Sequence, residues 1–254
     1  MTRSTEELRR LERAMFRAWP AFESIELDGW VLRFADGYTK RANSINPHFG
    51  STRPVAEKIA DCEARYAERG LPTIFRLTPF SRPPDLDRTL AEAGYRVLDR
   101  SLVMAAVLDR PPRGEAEATP HPDDVAFVSL EAWLKAFDEL RRLDPARTRL
   151  HREIVKAARG ERKAALIERD DRSIACGLGV QIDDRVGLFD LFVCETARRR
   201  GLGAAIVAAI LRAACRDGAR TAFLQVHSEN TAAQSLYRRF GFDTAYPYWY
   251  RIRR

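Results

Sequence analysis

The 254-residue sequence predicts an α+β (mixed α-β) chain organised as two domains. Three observations predict it. Runs that alternate apolar and polar residues, as strands do, are interleaved with runs whose apolar residues recur at helical spacing. The order of these runs across residues 24–108 is echoed in the second half, which suggests a tandem duplication. Between the copies, residues 109–122 hold Pro111, Pro112, Gly114, Pro120 and Pro122 with little apolar content and read as a linker. The expected boundaries are 1–110 for the first domain, 111–121 for the linker and 122–254 for the second domain.

Taken in order, residues 5–18 place Leu8, Leu11, Met15 and Phe16 on one helical face, and Pro20 ends that helix. Strands follow at 25–27, 30–34 and 42–45. They are separated by Asp28-Gly29 and Asp36-Gly37, dipeptides that suit tight hairpin turns. Pro54 opens a helix that Gly70 stops. A strand at 73–77, a helix at 86–93 and a strand at 97–108 complete the first domain. Trp30, Arg33, Arg41 and Asn43 are candidates to line a groove facing the second domain. Beyond the linker, 130–140 and 149–158 read as amphipathic helices. Strands at 163–168, 174–181 and 186–193 come next, with Asp183-Asp184 turning the second into the third. The chain then runs through a helix after residue 201, a strand at 221–226, a helix at 232–240 and a strand at 246–252.

The stretch 189–211, FDLFVCETARRRGLGAAIVAAIL, organises the second domain. It reads as strand, basic glycine loop, then helix, with Phe189, Leu191 and Val193 alternating against Asp190 and Phe192. In the loop Arg198-Arg199-Arg200-Gly201-Leu202-Gly203-Ala204, the glycines let the backbone approach a ligand closely. The first helical turn beyond offers free N–H groups. A helix N-terminus carries roughly half a positive charge and the arginines add whole ones, so a diphosphate suits this place.

Arg198-x-x-Gly201-x-Gly203, followed by the 221–226 strand, Asn230, Ala233, Leu236-Tyr237 and Phe240-Gly241-Phe242, resembles the acyl-CoA-binding half of the GNAT superfamily of N-acetyltransferases. The resemblance covers residues 120–254. It implies two GNAT-like domains, each a mixed, mostly antiparallel twisted sheet flanked by helices. The second would be catalytic and the first a degenerate relative, because residues 46–54 offer one glycine and no glycine pair. It also implies acetyl-CoA as co-substrate, no metal, and transfer to a primary amine by direct attack in a ternary complex. Cofactor contacts would come from the backbone of Leu191, Phe192 and Val193, from the loop residues Arg198, Arg199, Arg200, Gly201, Leu202, Gly203 and Ala204, and from Asn230 and Tyr237. Tyr237 would also protonate the departing sulfur. A non-catalytic acyl-CoA-binding or interaction module is the alternative reading.

The general base is less defined. Asp190 and Glu195 are the leading pair, and His227 and Glu229 at the end of the neighbouring strand are further candidates. The family's usual acceptor pocket points to Trp133, Phe137, Asp144 and Trp249. Composition bounds the rest. With 45% hydrophobic residues the chain can fill a core, and Cys62, Cys176, Cys194 and Cys215 fall at no metal-ligand or disulfide spacing. The formal charge of +7 lacks the dense basic runs with interleaved aromatics that mark single-strand nucleic-acid binders, so nucleic acid is not an expected partner. No apolar run approaches bilayer length, and the charged first helix lacks a signal-peptide apolar region, so no membrane partner and a cytoplasmic location are expected. A homodimer remains compatible with the chain.

Overall fold

Seven helices and eleven strands are present among the described residues, 4–109 and 124–253, of the structure, a computed structural model. The expected linker at 111–121 lies outside them. The first half holds α1 (Thr5–Ala18), β1 (Glu23–Leu27), β2 (Trp30–Phe34), β3 (Ile45–Asn46), α2 (Val55–Ala67), β4 (Thr73–Leu77), α3 (Leu86–Glu92) and β5 (Arg96–Val107). The second holds β6 (Ala126–Phe127), α4 (Leu130–Arg141), α5 (Pro145–Ala157), β7 (Glu161–Arg169), β8 (Arg172–Ile182), β9 (Arg185–Val193), α6 (Leu202–Arg216), β10 (Thr221–His227), α7 (Thr231–Arg238) and β11 (Asp243–Arg253).

Local chemistry accounts for most boundaries. Ser4 and Glu7 form a reciprocal capping box that starts α1. The Asp28-Gly29 turn has both φ values positive, at 44° and 83°, as a two-residue hairpin turn requires. Of the boundaries that differ from the sequence reading, two have a clear local cause. The strand expected at 42–45 shrinks to Ile45–Asn46 because the Asn43 side chain competes with the ladder. Its Oδ1 accepts from the amides of Ala35 and Gly37, and its Nδ2 donates to the carbonyls of Ala35 and Thr39. Helix α5 starts four residues early, since Asp144 caps it and Pro145 opens it.

The strands form one mixed sheet in the order β1-β2-β3-β4-β11-β5-β10-β9-β8-β7-β6. Within each half, two antiparallel strands precede a parallel neighbour: β2 pairs β3 antiparallel and β3 pairs β4 parallel, as β8 pairs β9 antiparallel and β9 pairs β10 parallel. If β1–β5 are matched with β7–β11, the order of those ten strands reads the same from either end. The final strands are exchanged. β5 lies against β10 with Ala105 opposite Phe223, and β11 lies against β4 with Arg251 opposite Phe75. A mixed, helix-flanked sheet was expected of each half; the exchange joins both sets of strands into one.

One apolar cluster spans both halves, joining Leu11 and Trp19 to Trp133, Phe137, Phe189 and Tyr246. The other two lie under α6 and under α2. A buried ion pair crosses the exchange. Arg76 on β4 donates to both Glu12 oxygens at 2.8 Å, each residue is 1% exposed, and the Tyr246 hydroxyl from β11 donates to the same carboxylate. Burial alone would raise the Glu12 pKa, but the charges of Arg76 and His48 hold it below the usual carboxylate range.

Candidate active site

The basic loop leaves a single 3-10 turn, Glu195–Ala197, and enters α6 through Gly201 at φ 79°, a conformation that favours glycine. Amides in the first turn of any helix have no carbonyl one turn back. Side chains of Ser4, Ser129, Asp144 and Asn230 accept from these amides at α1, α4, α5 and α7, whereas among the described residues no N-cap side chain does so at α2, α3 or α6. The α6 amides therefore face an open space. Close packing of α6 on the sheet holds them there: a Cβ added at Gly177 or Gly179 would lie 2.5 Å from Ile206 or Ile210. The space is a cavity of about 740 Å³ lined by Arg198, Arg199, Gly201, Leu202, Gly203 and Ala204, by Leu191, Phe192 and Val193 of β9, and by Arg239. Of the cofactor residues read from the loop, Arg200 is outside this wall.

A second cavity, about 440 Å³, adjoins it across Leu191, Phe192 and Ala233. It exists because β9 and β10 pair only from Arg185–Gly187 to Thr221–Phe223 and then diverge. Asp190, Asn230 and Tyr237 line it together, so these three of the sequence-predicted residues share one site. Asn230 caps α7 by accepting from the Ala233 amide at 3.1 Å. Tyr237 is 9% exposed, and burial, with no other cause, pushes its phenol up to about 12. The hydroxyl therefore carries its proton throughout the neutral range.

Asp190 is placed by a bulge. Phe189 pairs Leu178 while Phe192 pairs Cys176, so β9 spends one extra residue there, and Asp190 takes the left-handed φ of 49°. The simple alternation read from sequence breaks at this point. Phe189 packs into the cluster shared by both halves, whereas Leu191 and Val193 pack on the α6 side. Sequence reasoning did not include the partner of Asp190. His151 on α5 has a fully buried side chain, and its Nε2 lies 2.9 Å from Asp190 Oδ2. Its ring stacks on Phe137 at 4.2 Å and is enclosed further by Trp19, Tyr38 and Trp133. The available signal was a histidine on the apolar face of its helix, three and four residues before Ile154 and Val155.

Glu195 is not brought to this site. Its side chain is 83% exposed, directed to Arg198 at 3.5 Å, because the 3-10 turn carries it off the strand. His227 lines the cavity, with its Nδ1 accepting from the Glu229 amide at 3.4 Å. Of the expected acceptor residues, Phe137 lines the cavity. Trp133 is buried behind it and donates to the Gly177 carbonyl, Asp144 caps α5, and Trp249 donates to Asp87 in the first half. Of the expected groove residues, Arg41 reaches the cavity, while Trp30, Arg33 and Asn43 are buried elsewhere. All four cysteines are free thiols, and no grouping of metal-ligating side chains occurs among the described residues. No helix among them is long and apolar enough to cross a membrane.

The equivalent loop of the first half, between β3 and α2, is filled from within. The Asp28 carboxylate accepts from the amides of Thr52 and Arg53 and from the Thr52 hydroxyl, all at 2.9 Å, with the Lys58 ammonium 3.6 Å away. Those backbone bonds, from Arg53 and then Thr52, hold its pKa far below the usual carboxylate range. An internal carboxylate thus fills the loop just ahead of α2, where the second half has its open cavity.

Comparisons with known proteins give the family. The family described as probable histone acetyltransferase Rv0428c C-terminal matches residues 5–251. The chain belongs to that family. It is an acetyltransferase of the GNAT superfamily. The uncharacterized N-acetyltransferase YobR of Bacillus subtilis is 28% identical over 253 residues, covering 98% of this chain and all of that protein. The probable histone acetyltransferase Rv0428c of Mycobacterium tuberculosis is 34% identical over 146 residues, 56% of this chain and 42% of its own length. Two solved structures share the fold. A GCN5-related N-acetyltransferase from Kribbella flavida has a TM-score of 0.68 at 18% identity, covering 99% of this chain and 96% of its own. A tandem GNAT protein from the clavulanic acid biosynthesis pathway has a TM-score of 0.59 at 15% identity, covering 79% of this chain and 71% of its own.

Proposed function

We propose that this protein is an acetyl-CoA-dependent N-acetyltransferase that acts on a primary amine by direct attack, with its chemistry confined to the second half. The observation that carries the reading is the adjoining pair of cavities. One presents the open amides of α6, and the other presents Asp190 and Tyr237 across the gap between β9 and β10.

The α6 amides, Arg198 and Arg199 hold the pyrophosphate of acetyl-CoA. The β9 backbone from Leu191 to Val193 and the free Nδ2 of Asn230 guide its pantetheine arm through the gap, so the thioester reaches the second cavity. Asp190, fixed by His151, accepts a proton from the incoming ammonium. The neutral amine then forms its N–C bond to the carbonyl carbon and the C–S bond breaks. Tyr237 gives its proton to the departing sulfur and regains one shed by the acylated nitrogen. Holding amine and thioester together contributes several kcal/mol, on the order of what well-oriented intramolecular reactions show. The first half is a degenerate relative that supplies one wall of the acceptor cavity through Tyr38 and Arg41.

Calorimetric titration with acetyl-CoA tests the assignment. One site per chain is expected, lost in Gly201→Val, because valine is strained at φ 79° and the entry into α6 must shift to relieve it. Two sites would show that the first half binds cofactor despite Asp28, and no binding would overturn the transferase reading. Tyr237→Phe is expected to lower kcat by about 10²-fold or more, with acetyl-CoA affinity unchanged. Unchanged turnover would remove Tyr237 from the mechanism.

A further inference from the structure

The proposed transfer leaves the amine unnamed, and one feature of the acceptor cavity has no part in moving the acetyl group. Three guanidiniums face the cavity that holds Asp190: Arg41 from the turn after β2, Arg141 at the end of α4, and Arg147 in the first turn of α5. They come from separate elements, one of them in the first half. Each lies over an aromatic ring, Arg41 at 5.0 Å from the centroid of Trp19, Arg141 at 5.0 Å from Phe192 and Arg147 at 5.3 Å from Tyr38. Stacking holds a guanidinium plane in place and leaves its in-plane N–H donors free for a carboxylate.

These charges are only partly neutralised by the protein. Among the described residues, neither Arg41 nor Arg141 has a carboxylate at ion-pair distance, and Arg147 reaches Asp144 only at 4.0 Å. Among the described residues Asp190 is the one acidic residue of the cavity wall, and its carboxylate is already engaged by His151. The wall thus carries an excess of positive charge beside the group that must attract an ammonium. A simple amine, entering as a cation, meets repulsion. An amine that also carries an anionic group does not.

Resting on the transferase reading above, we infer that the acceptor is a small zwitterion, an amine bearing a carboxylate, whose carboxylate is held by Arg41, Arg141 and Arg147 while its amine is delivered to Asp190. A cavity of about 440 Å³ suits a molecule of amino-acid size. Apolar side chains of Phe137 and Phe189 in the same wall suit an amino acid with an apolar substituent.

The test uses the full chain and a thiol-release assay at saturating acetyl-CoA. The probes are the standard amino acids, their carboxamides, the matching decarboxylated amines, aminophosphonate analogues and a basic lysine-containing peptide. At least one apolar amino acid is expected to exceed its carboxamide and its decarboxylated amine by about tenfold or more in kcat/KM. Each good charge-assisted pairing typically supplies that much discrimination. Arg41→Gln and Arg147→Gln are expected to bring that ratio towards one through KM, with acetyl-CoA affinity unchanged. Binding of the same pairs to CoA-loaded protein by calorimetry gives a readout independent of turnover. Carboxamides that match the acids in both assays would overturn the inference, as would a basic peptide that outperforms every amino acid. Aminophosphonates that outperform the carboxylates would overturn the carboxylate assignment in favour of a phosphate-bearing amine. Failure of acetyl-CoA to bind would instead sink the transferase reading, and the binding comparison on the free protein would still decide between acid and amide.

Discussion

Asp190→Asn is expected to lower kcat by about 10²- to 10⁴-fold at neutral pH, the range usual for losing a positioned base. Asparagine keeps the size of the side chain and can still hydrogen-bond His151, so folding and acetyl-CoA affinity should be preserved. What it loses is the ability to take a proton from the ammonium. The deficit should therefore shrink as pH rises towards the amine's own pKa, where solvent supplies the neutral nucleophile. A pH-rate series on the variant and the native protein checks this. A deficit below about threefold at neutral pH, or one that does not change with pH, would take the base role away from Asp190. The same series on Glu195→Gln should show little change, because Glu195 lies outside the cavity on an exposed turn.

Glu12→Gln is expected to destabilise the fold by about 3–5 kcal/mol, the range for removing one partner of a buried ion pair. Arg76 is 1% exposed and its guanidinium sits over the Tyr248 ring 4.1 Å from the centroid, so water cannot take the place of the lost carboxylate. Chemical denaturation of the native and variant chains measures the difference. Replacing both partners with apolar residues, Glu12→Leu with Arg76→Met, should recover most of the loss, since no buried charge is then left unpaired. A single-variant effect under about 1 kcal/mol would show that the pair is hydrated in solution and does not tie α1 to β4 and β11.

Much of this was legible in the chain because local rules decided it. Helix α1 follows from its apolar face and from Pro20 after it, and the basic glycine loop follows from Gly201 and Gly203 before a helical run. Asn230 and Tyr237 were readable because their spacing from the loop is set by one strand and one helix. The unread parts depend on contacts distant in sequence. Nothing local distinguishes β5 as a neighbour of β10 from β5 as a neighbour of β4, because apolar alternation specifies a buried face and not which edge it meets. His151 and Asp190 are 39 residues apart, and their meeting needs both the packing of α5 and the bulge in β9. Glu195 was misplaced for the reverse reason: nearness to Asp190 in sequence suggested nearness in space, and a short turn separated them.

The exchange of β5 and β11 also constrains the order in which the molecule can be assembled. As the chain emerges during synthesis, β4 and β5 are complete long before β11, the strand that must lie between them, has been made. Until then both present open backbone edges, which invite pairing with other chains. Closing the sheet joins β11 to strands far from it in the sequence, a contact pattern that slows folding. Loss of the last few residues of β11 would therefore open the middle of the sheet rather than fray its rim, and the first half would suffer as directly as the second.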